Sequence, residues 1–83
     1  MAYMEKKVTA LYLNVLDRVP MAEIARGTSR SYPTLQAYKY GHRRITEDAA
    51  RELAEFLRNR AAEFTDAADQ LEAALAEEGG GNG

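Results

Sequence analysis

The side chains that carry most enzyme chemistry are few and scattered in this chain of 83 residues. It has no cysteine, which excludes a thiolate nucleophile, a disulfide framework and a cysteine-based zinc site. Its one histidine, His42, has no second histidine or cysteine with which to hold a metal. The adjacent acids Glu47 and Asp48 suggest an acid–base pair, but they follow Thr46 at the predicted start of a helix, where the helix dipole favours negative charge. We therefore predict that the chain is not an enzyme and holds no cofactor or metal.

A different chemistry is indicated by one basic segment, residues 26–44. It contains five Lys/Arg, one His and no carboxylate, although the whole chain has 11 basic and 13 acidic residues. Residues 1–60 hold all 11 basic side chains and 7 acidic ones, whereas residues 61–83 hold 6 acidic ones and no basic one. A local excess of one charge suits a polyanion such as nucleic acid. The alternative is an ordinary solvated basic surface.

Helical spacing of apolar residues runs along nearly the whole chain, and no strand-like alternation of useful length is present. We predict a first amphipathic helix over residues 3–18, with apolar positions that include Met4. Pro20 cannot continue that helix but can begin the next one at its first position. This second helix is predicted to stop at Gly27, taken as a left-handed C-cap residue.

Two more helices are predicted after a short turn. Ser31 is a suitable N-cap for a third helix, which tolerates Pro33 in its first turn and ends at Gly41. Thr46 caps the fourth helix. No Gly or Pro occurs from there to residue 78, so this segment forms either one helix about 50 Å long or two helices with a short break near residue 60.

The fourth helix has an apolar stripe with heptad spacing, longer than a core of this size needs. Ala67 and Ala74 widen the stripe. It predicts a homodimer or higher homo-oligomer, in an antiparallel pair or a four-helix arrangement, because two acidic parallel copies would repel. Folding back onto the first helix is the alternative. The predicted interface residues are Leu57, Ala61, Phe64, Ala68, Leu71 and Leu75.

Residues 24–41, with the sequence IARGTSRSYPTLQAYKYG, resemble the helix-turn-helix of lambda-repressor/Cro-like transcription regulators. In that pattern Ile24 is the apolar residue of the positioning helix and Ala25 is the small residue where the two helices cross. Leu35 and Tyr38 fall on the core-facing positions of the recognition helix. The resemblance covers about residues 4–58, because a basic linker, a Thr cap and a core-closing helix follow. It departs from the pattern in the turn, which has Thr, Ser and Arg where the family usually has Gly between apolar residues.

The resemblance implies an all-α fold, a four- to five-helix lambda-repressor-like domain followed by a long C-terminal oligomerisation helix. The DNA-binding domain then spans residues 1–58, with Leu53 in its core. The oligomerisation helix spans residues 59–78. The glycine-rich residues 79–83 are expected to form a disordered tail.

The recognition helix of this family enters the major groove of DNA by its N-terminal end and reads bases with its outer face. Gln36 has the donor and acceptor needed for a bidentate bond to adenine, and Tyr32 and Pro33 suit a thymine methyl group. The alternative is that the exposed tyrosines have no contact role. The expected base contacts are Ser31, Tyr32, Pro33, Gln36 and Tyr40. The expected phosphate contacts are Arg30, Lys39, His42, Arg43 and Arg44.

The expected function is sequence-specific binding of double-stranded DNA by a dimeric transcription regulator, a repressor in preference to an activator. One alternative is a DNA-packaging or excision subunit similar to a phage small terminase. Another is a protein–protein adaptor that no longer binds DNA. The sequence has no apolar run of about 18 residues and no signal-peptide pattern at its start. We therefore predict a cytoplasmic protein without a membrane partner.

Overall fold

The computed structural model describes residues 6–81 of the chain. They form four helices: α1 (Lys6–Arg18), α2 (Met21–Gly27), α3 (Tyr32–Lys39) and α4 (Glu47–Gly81). The predicted all-α class is confirmed for this part of the chain. Met4, predicted to lie in the first helix, is outside the described residues. The molecule measures 60 × 21 × 19 Å, because α4 extends far beyond the other three helices.

The break between α1 and α2 lies at Pro20, as the sequence predicts. Pro20 is the N-cap of α2, however, and lies one residue before the helical position predicted for it. Its carbonyl oxygen accepts hydrogen bonds from the amides of Glu23 at 3.0 Å and Ile24 at 3.2 Å. Proline suits this place because the amide that it lacks would have had no helical partner.

Gly27 ends α2 as predicted, but the prediction of a left-handed C-cap is wrong. Among the described glycines, a positive φ occurs at Gly41 alone. Thr28 follows α2 in an extended conformation with φ −131°, and its hydroxyl donates a hydrogen bond of 2.8 Å to the carbonyl oxygen of Ile24. Glycine is required at position 27 for space, because a Cβ there would lie 2.5 Å from Cε1 of the Phe56 ring.

We expect Gly27→Ala to destabilise the protein, although alanine is the better helix former. Helix propensity alone predicts a gain of about 1 kcal/mol in the free energy of unfolding. Crowding against the buried Phe56 ring predicts a net loss of about 1–3 kcal/mol. Thermal denaturation followed by circular dichroism measures the sign. A gain in stability would show that the Phe56 ring does not pack on this helix end.

Both ends of α3 are capped by the residues that the sequence singles out. The hydroxyl of Ser31 accepts a hydrogen bond from the amide of Thr34 at 3.3 Å. At the other end α3 stops at Lys39, two residues before the predicted end, and Gly41 follows with φ 78°. The amides of Gly41 and His42 donate to carbonyl oxygens of the last helical turn at 3.2 Å and 2.8 Å. This pair of bonds is a Schellman motif, in which glycine accepts the left-handed conformation without strain.

The core lies where α1, α2, α3 and the first part of α4 meet. Leu35 is fully buried and Ile24 nearly so. The rings of Tyr12 and Tyr38 pack edge to face with their centroids 5.6 Å apart. Burial raises the pKa of the Tyr12 phenol to about 12, so it stays neutral at physiological pH. The buried residues are Tyr12, Leu16, Ile24, Leu35, Tyr38, Ile45, Ala49, Leu53 and Phe56.

α4 is one uninterrupted helix, which decides between the two possibilities that the sequence allows. The hydroxyl of Thr46 accepts a hydrogen bond of 3.2 Å from the amide of Ala49, so Thr46 caps α4 as predicted. Near its middle, α4 is joined to α2 by an ion pair of 3.1 Å between Arg60 and Glu23. Residues 61–78 are all exposed. The helix runs to Gly81, so three of the five residues predicted to be a disordered tail lie in its last turn, and residues 82–83 are outside the described part.

Candidate nucleic-acid interface

α3 has one face in the core and one face in solvent. Leu35 and Tyr38 are buried at 0% and 4% exposure, which confirms their predicted inward orientation. The other residues of α3 that the sequence assigns to DNA are on the solvent side. All five predicted base-contact residues are exposed: Ser31, Tyr32, Pro33, Gln36 and Tyr40. The helix therefore presents a continuous polar and aromatic surface from its N-cap to its C-cap.

A network of hydroxyl groups holds the first turn of this surface. The hydroxyls of Ser31 and Thr34 lie 3.0 Å apart, within hydrogen-bonding distance. The Nη1 atom of Arg43 donates to the Thr34 hydroxyl at 3.4 Å. The guanidinium group of Arg43 is thus held beside the N-terminal half of α3, although Arg43 follows α3 in the chain. The sequence analysis did not predict a role for Thr34. Its contact with Arg43 of the next loop depends on the fold and has no local signal in the sequence.

The turn between α2 and α3 is tied to α4 by Glu52. One carboxylate oxygen of Glu52 accepts a hydrogen bond of 2.9 Å from Nε of Arg30, and the other accepts one from the hydroxyl of Ser29. The Arg30 side chain is 25% exposed in this ion pair. Arg30 therefore positions the turn against α4, and its contact with phosphate stays a prediction. No carboxylate occurs in the sequence between Glu23 and Glu47. The carboxylate of Glu52 lies next to Ser29 and Arg30 because folding brings α4 beside the turn before α3.

The basic side chains after the middle of α3 are exposed. Lys39 lies with its ammonium group 5.8 Å from the centre of the Tyr40 ring, a cation–π contact at the C-terminal end of the helix. His42, Arg43 and Arg44 follow in the loop to α4, all of them exposed. Ile45, the next residue in the chain, is only 3% exposed and fixes the end of this loop in the core. Its burial gives the basic loop a defined position beside α3.

Charged pairs on α4 begin directly after this loop. Glu47 and Arg51 form an ion pair one helical turn apart. The hydrogen bond from Arg51 lowers the pKa of the Glu47 carboxyl group and raises the pKa of Arg51. Both groups are at the surface. Glu47 lies in the first turn of α4, where the sequence predicts that an acid stabilises the start of the helix, and the pair with Arg51 one turn later stabilises it further.

The predicted oligomer interface is a separate surface on α4. Phe64, Leu71 and Leu75 are 66%, 63% and 62% exposed, and Ala61 and Ala68 are exposed as well. Leu57 differs, because it is half-buried and packs against the core of its own chain. From Ala61 to Leu75 the stripe is exposed in the described part of the chain, which argues against the alternative that the fourth helix folds back onto α1.

Other kinds of site have little support in residues 6–81. This part of the chain contains no group of three or more His, Cys, Asp or Glu side chains that could hold a metal ion. It also contains no helix with both the length and the apolar character needed to cross a membrane. The surface of α3 and the stripe of α4 are therefore the two features that call for a functional explanation.

Comparison with known proteins gives no relative from which a function could be inferred, so a functional assignment depends on the geometry described above. Protein-family models, curated proteins and solved structures were each searched, and none of them matches the chain.

Proposed function

We propose that the protein binds double-stranded DNA in a sequence-specific manner through α3 and acts as a dimeric transcription regulator. The observation that carries this proposal is the arrangement of α3. One face of the helix is exposed, polar and flanked by basic side chains, and the opposite face is buried in the core. An α-helix fits the major groove of B-DNA, where base edges present hydrogen-bonding groups. Repression is preferred to activation because it requires only that the protein occupy its site.

The capped ends and buried residues of α3 support this role. Base readout needs side chains held in a fixed position, and α3 has a capped N-terminus, a Schellman motif at its C-terminus and two buried anchors, Leu35 and Tyr38. The turn before it is tied to α4 through Arg30 and Glu52. The similarity of residues 24–41 to the lambda-repressor/Cro helix-turn-helix points to the same use of this helix, with α2 as the positioning helix and α3 as the recognition helix.

Base and phosphate contacts are assigned by chemistry and position. Gln36, in the middle of the exposed face, pairs its amide with the N6 and N7 groups of adenine. Tyr32 and Pro33, at the N-terminal end, touch a thymine methyl group. Arg43, held against the first turn of α3, neutralises a phosphate beside the groove. The absence of carboxylates between Glu23 and Glu47 avoids repulsion of the DNA backbone.

Selection of binding sequences from a random duplex pool tests this proposal. We expect the protein to enrich one motif. Enrichment of no motif, with binding retained, would favour the alternative of a DNA-packaging subunit. The absence of any binding at low salt would favour a protein–protein adaptor.

Gln36→Ala should relax sequence preference more than it weakens binding to random duplex. A lost bidentate base contact costs about 1–3 kcal/mol of discrimination, which is roughly a tenfold to hundredfold loss of preference at one base pair. Competition between the selected duplex and a random duplex measures the difference. An equal loss of affinity for both duplexes would place Gln36 on the phosphate backbone and contradict its assigned role. Ala22→Ser, on the exposed side of α2, is a control that should leave the preference unchanged.

A further inference from the structure

The apolar stripe of α4 is continuous with a groove between α1 and α4. The groove is lined on the α1 side by Val8, Leu11 and Val15, and on the α4 side by Ala50, Leu53, Ala54 and Leu57. Leu11 is 57% exposed, so the groove is open to solvent. Beyond it the same side of α4 continues as a stripe of alanines and large apolar residues that reaches Leu75. One chain thus has both a ridge, on the distal half of α4, and an apolar groove beside the proximal half.

We propose that a second copy of this chain covers the stripe, with the two α4 helices antiparallel and in one specific register. In this register the distal half of each α4 lies along the α1–α4 groove of the other copy. The two-fold axis crosses the pair between residues 62 and 63. The facing residues are Ala50 with Leu75, Ala54 with Leu71, Leu57 with Ala68, and Ala61 with Phe64.

Side-chain size selects this register. Each facing pair combines one alanine with one leucine or phenylalanine, so the distance between the helix axes can stay constant along the interface. A parallel pair in register would instead place Ala61 against Ala61 and Phe64 against Phe64. Layers of two alanines would then alternate with layers of two large residues, which leaves gaps in some layers and crowding in others. The antiparallel register packs every layer to about the same volume.

Charge favours the same direction. Residues 61–83 hold 6 acidic side chains and no basic one, whereas all 11 basic residues lie in residues 1–60. Parallel packing would align the two acidic halves, whereas antiparallel packing places each of them beside residues 47–60 of the other copy, which hold three basic and four acidic side chains. Glu72 lies on the edge of the stripe, where the antiparallel register brings it near Arg51 and Arg58 of the other copy. Opposite charges at such flanking positions set the partner and orientation of paired helices.

The width of the stripe matches the groove. Ala67 and Ala74 lie on the edge of the stripe that faces α1 of the other copy in this register, where the exposed Leu11 and the half-buried Val15 offer apolar surface. Small residues at these two positions allow the distal helix to approach both α1 and α4. With about 16 positions of α4 and the exposed residues of α1, each copy contributes roughly the 20 residues that a stable interface uses.

The register also sets the distance between the two DNA-binding surfaces, a consequence that rests on the proposed function. Glu52, which holds the turn before α3, and its counterpart in the other copy lie about 21 residues apart along the antiparallel pair, or ~32 Å. Half-sites on DNA that are read by such dimers lie about 34 Å apart, one turn of the double helix. Along the direction of α4, the two turns that precede α3 are therefore separated by close to one turn of the double helix.

Distances between spin labels test the register. The chain has no cysteine, so Ala73→Cys and Asn59→Cys each provide a single labelling site, both exposed and pointing away from the stripe. In the antiparallel register the two labels at position 73 are separated by about 21 residues along the helices, which gives a distance of roughly 30–40 Å. The two labels at position 59 are separated by only about 7 residues along the helices and lie roughly 10–15 Å closer together.

Each outcome of this experiment decides the proposal. A long distance at position 73 and a shorter one at position 59 is the expected result. Equal short distances at both positions would show a parallel pair, and the absence of any dipolar signal from a protein with the mass of one chain would show that no second copy covers the stripe. Either result overturns the proposal. Binding to duplex is measured separately on the same samples, so a correct register without DNA binding would reject the proposed function alone.

Discussion

Phe64→Glu is expected to dissociate the proposed dimer into monomers and to weaken the proposed binding to a two-half-site duplex by about 10²–10⁴-fold. Phe64 is 66% exposed at the centre of the α4 stripe, where the proposed register places it against Ala61 of the other copy. A carboxylate at this position would have to be buried without a partner, which strongly opposes association. The loss of affinity for duplex follows because each half-site would then be bound independently. Sedimentation measures the mass, and titration of labelled duplex measures the affinity.

Ala62→Glu is the matched control for this variant. It adds the same charge two residues earlier, at an exposed position on the other side of α4. We expect it to leave both mass and affinity close to those of the unmodified protein. If Phe64→Glu keeps its mass and loses thermal stability instead, the stripe packs within its own chain, and the dimer interface must lie elsewhere.

Leu35→Ala is expected to have the largest effect on stability. Leu35 is completely buried where α3 packs on α1 and α2. Removal of a buried leucine side chain costs about 2–5 kcal/mol, which is a large part of the total stability of a domain of this size. The midpoint of thermal unfolding should fall by roughly 10–30 °C. Circular dichroism during heating measures this fall.

Gln36→Ala provides the comparison on the same helix. Gln36 is exposed and next to Leu35, so its replacement should change the free energy of unfolding by less than about 0.5 kcal/mol. The two variants together separate the inner face of α3, which stabilises the fold, from its outer face, which is assigned to base readout. Equal thermal stability of the two variants would contradict the described orientation of α3.

The positions of the helices could be predicted because local signals set their ends. Ser31 and Thr46 cap α3 and α4 through their own hydroxyl groups, and Gly41 follows α3 in the left-handed conformation. Ile24 and Leu35 could be assigned to the core through the resemblance of residues 24–41 to a helix-turn-helix, whose pattern has apolar residues at these positions. These signals depend on residues only a few positions apart in the chain.

Features that depend on contacts between distant residues were not predicted. The local sequence predicts a C-cap role for Gly27, whereas its contact with Phe56 depends on a residue 29 positions away in the chain. The same is true of the ion pair between Arg30 and Glu52, which removes part of the charge expected on the α3 surface. On α4 the heptad stripe was visible and the core position of Leu53 is confirmed, but the burial of Ala49 and Phe56 on the same side of the helix was not predicted.

The salt dependence of duplex binding tests most directly the proposal that the exposed face of α3 and the loop after it bind DNA. Each phosphate neutralised contributes about −0.9 to the slope of log K against log salt concentration. We compare the unmodified protein with Arg43→Ala, which removes the guanidinium group held beside α3, and with Arg18→Ala, which removes an equal charge at the end of α1. We expect a steep negative slope that Arg43→Ala reduces by about 1 and Arg18→Ala leaves unchanged. Binding that does not vary with salt, or an identical slope for all three proteins, would contradict it.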